Sequence, residues 1–204
     1  MSALDRALTI EDLKAIARRR VPKQFFDYID SGAYTEGTYR ANEDDFKKIT
    51  FRQRVAVNLE NRNLGSTLLG QPVSLPLAIA PVGSTGMTDA DGEIKAAKAA
   101  EKFGIPFTLS TMAICSIEDV AENTSKPFWF QLYVMKDRAY IERLIDRAKA
   151  AKCSALVLTM DLQILGQRHK DLRNGLTAPP KFTPKFVAEM MLKPGWAMRM
   201  LGTN

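Results

Sequence analysis

At 204 residues, with 46% apolar and 25% charged side chains, the chain can bury one good core, as a whole domain or a large piece of one, and its composition excludes a disordered or fibrous protein. No stretch reaches the roughly eighteen consecutive apolar residues of a membrane span, and MSALDRALTIEDLKAIARRR meets charged residues too early for a signal peptide. The net charge of +6 is uneven: seven Lys/Arg follow Leu162 against only Asp171 and Glu189, and a second patch centres on Arg18-Arg19-Arg20. Without interleaved aromatics, a helix-turn-helix or a zinc pattern, that charge argues against nucleic acid and suits an anionic small molecule and an anionic surface.

In chain order, Thr9 reads as a helix N-cap, with Asp12 following and Ile10, Leu13, Ile16 and Ala17 as the apolar face, up to Arg20-Val21. Pro22 opens a second helix that should close at Gly32. The two make a small helical cap, in which Tyr28 either packs like its neighbours Phe25 and Phe26 or faces a ligand. Residues 34–63 are mixed and charged, and connection with short helix is expected there.

From Gln71 the pattern repeats. Residues 74–80 (SLPLAIA) are a buried-strand candidate, and 92–103 a helix opened by Asp91 whose alanines let it lie close to a sheet. Residues 106–110 make a second strand, and Ser116 caps a short helix with Asp119 at the capping-box position. A third strand at 127–133 (PFWFQLY), a third helix at 137–151 and a fourth strand at 155–160 follow. Short apolar strands alternating with helices predict parallel βαβ units. Cys115 and Cys153 lie in this region without metal-ligand or redox spacing, so free thiols in a reducing compartment, and no metal site, are expected.

Each strand ends in polar or turn chemistry: Pro81-Val82-Gly83-Ser84, Ser110-Thr111, Gln131 with Tyr133, and Thr159 with Asp161. In a parallel sheet these ends emerge on one side and can line one pocket. Pro81 to Gly86 is too loose a match for a dinucleotide phosphate loop. A (β/α)₈ barrel with a flat cofactor across the strand tops fits better, although about four βα units are half of such a ring. After Thr159-Met160-Asp161 a polar loop carries Arg168, His169, Asp171, Arg173 and Asn174, and the repeats stop at Gly175. Thr183 then caps a helix with Pro184 at its first position, followed by a break at Pro194-Gly195. Its Met- and Trp-rich apolar face, surrounded by Lys181, Lys185, Lys193 and Arg199, suits an interfacial membrane contact, or a surface helix packed on its own or a partner subunit.

These stretches, among them FDYIDSGAYTEGTYRAN, LPLAIAPVGSTGM, DGEIKAAKAAEKFGIPFTLST, FWFQLYV, ALVLTMD and GQRHKDLRNG, together resemble the FMN-dependent 2-hydroxy acid oxidases and dehydrogenases, and within them the bacterial respiratory, cytochrome-linked L-lactate dehydrogenases. The resemblance implies a TIM (β/α)₈ barrel of the FMN-linked type, with residues 1–70 as helical cap and connection, 71–178 as the first half of the barrel, and 179–204 as the start of a basic amphipathic loop. It implies that Pro81, Val82 and Gly83 run their backbone past the flavin, and that Ser110, Gln131 and Thr159 hold the polar edge of its ring. Tyr28 and Tyr133 would meet the substrate, Tyr133 donating toward the reacting oxygen; Asp161 would orient the catalytic base and Arg168 receive the substrate carboxylate. The implied reaction takes a 2-hydroxy acid, L-lactate for this branch, to the oxo acid by hydride transfer to flavin, with electrons passing to a quinone or cytochrome. A homo-oligomer, peripheral on the cytoplasmic side of the inner membrane or otherwise cytoplasmic, goes with it.

Gly83, Met112, Gln163 and Ile164 depart from the family's more usual residues and leave the choice among lactate, mandelate and glycolate open. The base is a further departure. A histidine is expected in that role, and His169, the one histidine in the sequence, reads as a rim residue because its neighbour Arg168 already points to the pocket. The expectation is therefore the N-terminal half of a longer enzyme, inactive alone. An oxidase using oxygen, and a non-catalytic flavin-binding or interaction half-barrel, are the alternatives.

Overall fold

A computed structural model of the chain describes residues 3–161, 164, 166–176 and 184–202. The helices are α1 (Ile10–Arg20), α2 (Lys23–Ile29), α3 (Gly37–Asp44), α4 (Gly92–Phe103), α5 (Ile117–Asn123), α6 (Arg138–Ala150), α7 (His169–Asn174), α8 (Pro184–Met191) and α9 (Pro194–Met200). The strands are β1 (Ser66–Leu68), β2 (Gln71–Val73), β3 (Thr108–Leu109), β4 (Trp129–Tyr133) and β5 (Ala155–Thr159). They fall into two compact units, Met1–Ala56 with Leu165–Thr203, and Val57–Ile164.

The second unit holds a parallel sheet in the order β3-β4-β5. Its register pairs Leu109 with Phe130, Gln131 with Val157 and Tyr133 with Thr159. Because side chains alternate along a strand, Trp129, Gln131 and Tyr133 share one face with Ala155, Val157 and Thr159. Phe130 and Leu132 share the other with Leu156 and Leu158. That second face makes the core: Leu109, Phe130 and Leu132 are buried with Ile94, Ala97 and Ala100 of α4, Ile117 and Val120 of α5, and Ile141, Leu144 and Ala148 of α6. Each large side chain so buried contributes roughly 1.5–3 kcal/mol. The helical cover stops short of β5, where Leu156 and Leu158 stay about half exposed, at 48% and 50%.

The helices of this unit form where capping and periodicity agree. Ser116 Oγ accepts from the Asp119 amide at 3.0 Å while the Asp119 carboxylate accepts from the Ser116 amide at 2.7 Å, a reciprocal box that starts α5. Asp137 caps α6 at the Tyr140 amide, and Gly104, at φ +85°, ends α4.

One expectation fails here. Residues 74–80 form no continuous strand, only a bridge at Ile79 to Phe107. Pro76 has no ladder donor, and the Leu77 amide turns back to the Leu75 carbonyl at 2.7 Å. An antiparallel hairpin precedes it instead: β1 and β2 are joined at Leu69 and Gly70, whose φ values of 48° and 78° are those of a tight primed turn.

In the first unit α1 starts at Thr9, whose hydroxyl accepts from the Asp12 amide at 3.2 Å, as expected. α2 ends at Ile29 rather than Gly32, with Asp30 as its C-cap. α3 fills part of the stretch where connection and short helix were expected. The polar loop after β5 is in part a helix, α7, with Arg168 at its N-cap and Gly175 at φ +70° closing it. The break expected at Pro194-Gly195 falls at Leu192 and Lys193, between α8 and α9, and Pro194 occupies the first turn of α9, where its missing N–H costs nothing. Trp196 of α9 is buried, its ring centroid 5.5 Å from that of Phe25. The expected cap Thr183, with Lys181 and Gln163, lies outside the described residues, as do the side chains of Lys185 and Phe186.

Candidate active site

In the second unit the carboxyl ends of the parallel strands carry a connected polar row. Gln131, 1% exposed, sits at its centre. Its Oε1 accepts from the Thr111 amide at 3.1 Å and from Ser110 Oγ at 3.3 Å, and its Nε2 donates to Thr159 Oγ1 at 2.8 Å. One side chain therefore ties the ends of β3, β4 and β5 together. Thr111 adds a second tie, its hydroxyl donating to the Gln131 carbonyl and accepting from the Tyr133 amide at 3.1 Å. Ser110 Oγ also accepts from the Met112 amide at 3.1 Å. A buried amide flanked by hydroxyls is stable only when so fully paired.

Beside this row runs the segment Pro81-Val82-Gly83. It leads into Ser84, at φ 58°, whose amide donates to the Met112 carbonyl at 2.9 Å, so the two loops lie edge to edge. Pro81 and Val82 are exposed and Gly83 half-buried. Tyr133 is half-buried at the end of β4. Asp161 is exposed two residues beyond Thr159, with no hydrogen bond or ion pair among the described residues.

The first unit brings together Tyr28 and Arg168. The guanidinium carbon of Arg168 lies 4.6 Å from the centre of the Tyr28 ring, a cation–π geometry. Its Nη2 donates to the Tyr28 carbonyl and to Ser31 Oγ, the latter at 3.0 Å. Its Nε lies 2.8 Å from Asp171 Oδ2, but the N–H does not point along that line, so the contact is an ion pair rather than a hydrogen bond. Burial raises the Asp171 carboxyl above its ordinary range; Arg168 opposes that shift and Asp27 adds to it. Lys170 donates to the Asp30 carbonyl at 2.9 Å, and Asn174 to Asp27 Oδ2 at 2.7 Å. The short α7 is thus held on α2 by polar contacts, which fix the position of Arg168. His169 is exposed, its ring edge-on to Tyr34 at 6.2 Å.

The expected residues accordingly gather in two groups: Ser110, Gln131 and Thr159 with Tyr133 nearby in one unit, Tyr28 with Arg168 in the other. Sequence reasoning missed Thr111, Ser31 and Asp171 as supports. Thr111 carried a signal, a hydroxyl next to Ser110 at a strand end; Ser31 carried none.

A parallel sheet with helices on one face and polar side chains at its carboxyl ends is the architecture of a barrel enzyme that lays a cofactor across its strand tops. The comparisons name the family: the model for FMN-dependent dehydrogenases matches residues 17–204, and the chain belongs to that family. An L-lactate dehydrogenase of Ectopseudomonas mendocina is 46% identical over 186 residues, 91% of this chain and 49% of that protein. Among solved structures, the monotopic membrane protein (S)-mandelate dehydrogenase superposes with a TM-score of 0.89 at 34% identity, over 96% of this chain and 52% of that one. A (putative) lactate oxidase of Pediococcus acidilactici gives 0.80 at 28% identity, over 91% and 51%. The chain spans about half the length of these relatives. The fold class is that of an FMN-linked (β/α)₈ barrel, present here as a partial parallel sheet.

The residues of the second unit fit FMN. The isoalloxazine edge alternates carbonyl acceptors with an N–H donor, and the row offers both kinds of group. The Gln131 Nε2 spends one of its two hydrogens on Thr159, and the Ser110 and Thr159 hydroxyls flank it.

Proposed function

We propose that the whole protein oxidises an L-2-hydroxy acid, L-lactate to pyruvate, with FMN as the bound redox group and a quinone or cytochrome as electron acceptor. The observation that carries this reading is the Ser110–Gln131–Thr159 row at the strand ends, on a chain whose relatives include L-lactate dehydrogenases. Bound FMN would supply the hydride acceptor. Ser110, Gln131 and Thr159 would hold its polar edge, and Pro81, Val82 and Gly83 would pass their backbone beside it. Arg168, kept in place by Ser31 and the Tyr28 carbonyl, would take the substrate carboxylate with its remaining N–H groups. Tyr28 would lie against the substrate on the same side. Tyr133 would donate to the substrate oxygen as charge develops there. Asp161 would stabilise the protonated form of a histidine base supplied by residues other than these 204.

Residues 71–178 then serve as the first half of the FMN-binding barrel and 1–70 as its cap. No helix among the described residues is long and apolar enough to cross a membrane. Residues 181–204 would make a peripheral contact on the cytoplasmic side of the inner membrane, using exposed Val187, Met191, Leu192, Met198 and Leu201. A homo-oligomer is part of the same reading.

The test is anaerobic mixing of the full-length protein with L-lactate while flavin absorbance is followed. Bleaching is expected, and it should be slower by about a hundredfold in Tyr133→Phe. A full-length protein that carries flavin yet is not reduced by any L-2-hydroxy acid would sink the proposal. Stoichiometric hydrogen peroxide in air would reassign the acceptor to oxygen.

A further inference from the structure

The most buried carboxyl group in the second unit has no part in the chemistry above. Glu93, in the first turn of α4, is 1% exposed. Its Oε1 accepts two backbone hydrogen bonds, from the Gly86 amide at 3.0 Å and from the Ile114 amide at 3.1 Å. Gly86 follows the Pro81-Val82-Gly83 segment, and Ile114 follows Ser110-Thr111. Glu93 therefore joins the two loops that carry the expected cofactor contacts after the first two strand positions.

The packing around it is close. A Cβ on Gly86 would stand 2.8 Å from the Ile114 Cβ and 2.9 Å from Glu93 Oε2, and one on Gly92 would stand 2.7 Å from the Thr85 carbonyl oxygen. The other carboxyl oxygen, Oε2, is buried without a hydrogen-bond partner. Nearby Cys115 has its thiol pushed up to about 11, by burial first and Glu93 second. A carboxyl held under such cover by two backbone donors costs free energy unless those donors need it. Here they do: neither the 81–87 turn nor the 110–115 turn has a ladder partner for these amides. Among the described residues, the Ser84 amide to Met112 carbonyl bond, 2.9 Å, is the one direct backbone hydrogen bond between the two loops.

We propose that Glu93 is the positioning residue of the cofactor site, setting the loop of Pro81 to Gly83 and the loop after Ser110 in the one relative placement that lets both reach the flavin. The proposal rests on the FMN reading given above. It makes no use of a second ligand, and it distinguishes Glu93 from an ordinary core residue such as Val120, which is fully buried in the same unit but touches neither loop through a hydrogen bond.

The experiment titrates FMN onto the full-length apoprotein, following the quenching of flavin fluorescence, with the melting temperature of each apoprotein measured in parallel. In Glu93→Ala the affinity should fall by about tenfold or more. In Glu93→Gln, whose amide oxygen can accept both N–H groups, it should stay within about threefold of wild type. Val120→Ala should lower the melting temperature and leave FMN affinity unchanged. If Glu93→Ala does not fold, Glu93→Asp, which is too short to span both loops, takes its place under the same criterion. The proposal is overturned if Glu93→Ala, or Glu93→Asp in its place, binds FMN as wild type does. It is equally overturned if Glu93→Gln is as weak as Glu93→Ala, or if Val120→Ala weakens binding as much at the same loss of melting temperature. A full-length wild-type protein that takes up no FMN would remove the functional reading and this one with it.

Discussion

Gln131 does at residue scale what a loop could not do: it fixes three strand ends with one side chain. Replacing it by leucine keeps the volume but strips the Thr111 amide and the Ser110 and Thr159 hydroxyls of their partner. In a place this buried the expected loss is about 1–3 kcal/mol of stability, read from urea unfolding, together with loss of bound flavin from the full-length protein. Unchanged stability would mean that the row is not a support. Gln131, Ser110 and Thr159 were legible in the sequence because a polar residue at the end of an apolar strand run has few other reasons to be there. The engagement of Arg168 was not. Its partners, the Tyr28 carbonyl and Ser31, lie about 140 residues away in the chain, and only the tertiary packing of α7 on α2 brings them close.

Elements were readable to the extent that their stability is local. α4 and α6 match their sequence limits to within a residue or so because alanine or amphipathic periodicity and a defined start agree. α7 did not read as a helix, since Leu172 is its only large apolar residue and is 63% exposed; its stability comes from Arg168, Lys170 and Asn174 reaching α2. The β1–β2 hairpin was hidden for a related reason: its turn is Leu69-Gly70, without the Asn or Asp that usually announces positive φ. Between helices, Glu118 of α5 and Arg147 of α6 form a two-pronged pair, at 2.8 and 2.5 Å. The guanidinium holds the Glu118 carboxyl down at about 2. A depressed carboxyl stabilises the fold above its unfolded value near 4.5, and the contribution fades as pH falls from there toward 2. Both side chains are nearly half exposed, 44% and 47%, so the coupling should not exceed about 1 kcal/mol. A double-mutant cycle with Glu118→Gln and Arg147→Met should give no more than that value at neutral pH and progressively less as pH falls from about 4.5 through about 2; a coupling independent of pH would contradict it.

At the scale of the molecule, large apolar side chains stand in water: Leu77, Leu156, Leu158, Met160 and Phe51 are all well exposed. Water-facing strands of this kind pair with whatever strand they meet. The 204 residues purified alone should therefore self-associate in sedimentation velocity, bind a hydrophobic dye, and fail to oxidise L-lactate. A monodisperse monomer that turns over L-lactate would contradict this account on both counts.

The polar row also has a polarity along the sheet. Hydrogen atoms run in one sense, from the Thr111 amide into the Gln131 oxygen and from the Gln131 nitrogen into the Thr159 oxygen, because the Thr111 backbone N–H can only donate and so fixes the sense of the carboxamide. The Thr159 hydroxyl, having accepted, is left to pass its own proton onward, and a series of this kind strengthens its last member. The end of β5 is thereby biased to present a donor, which an acceptor on a bound group would satisfy. An inverted amide at Gln131 would set its NH2 against the Thr111 N–H, donor against donor, so the backbone at the end of β3 decides what the end of β5 presents.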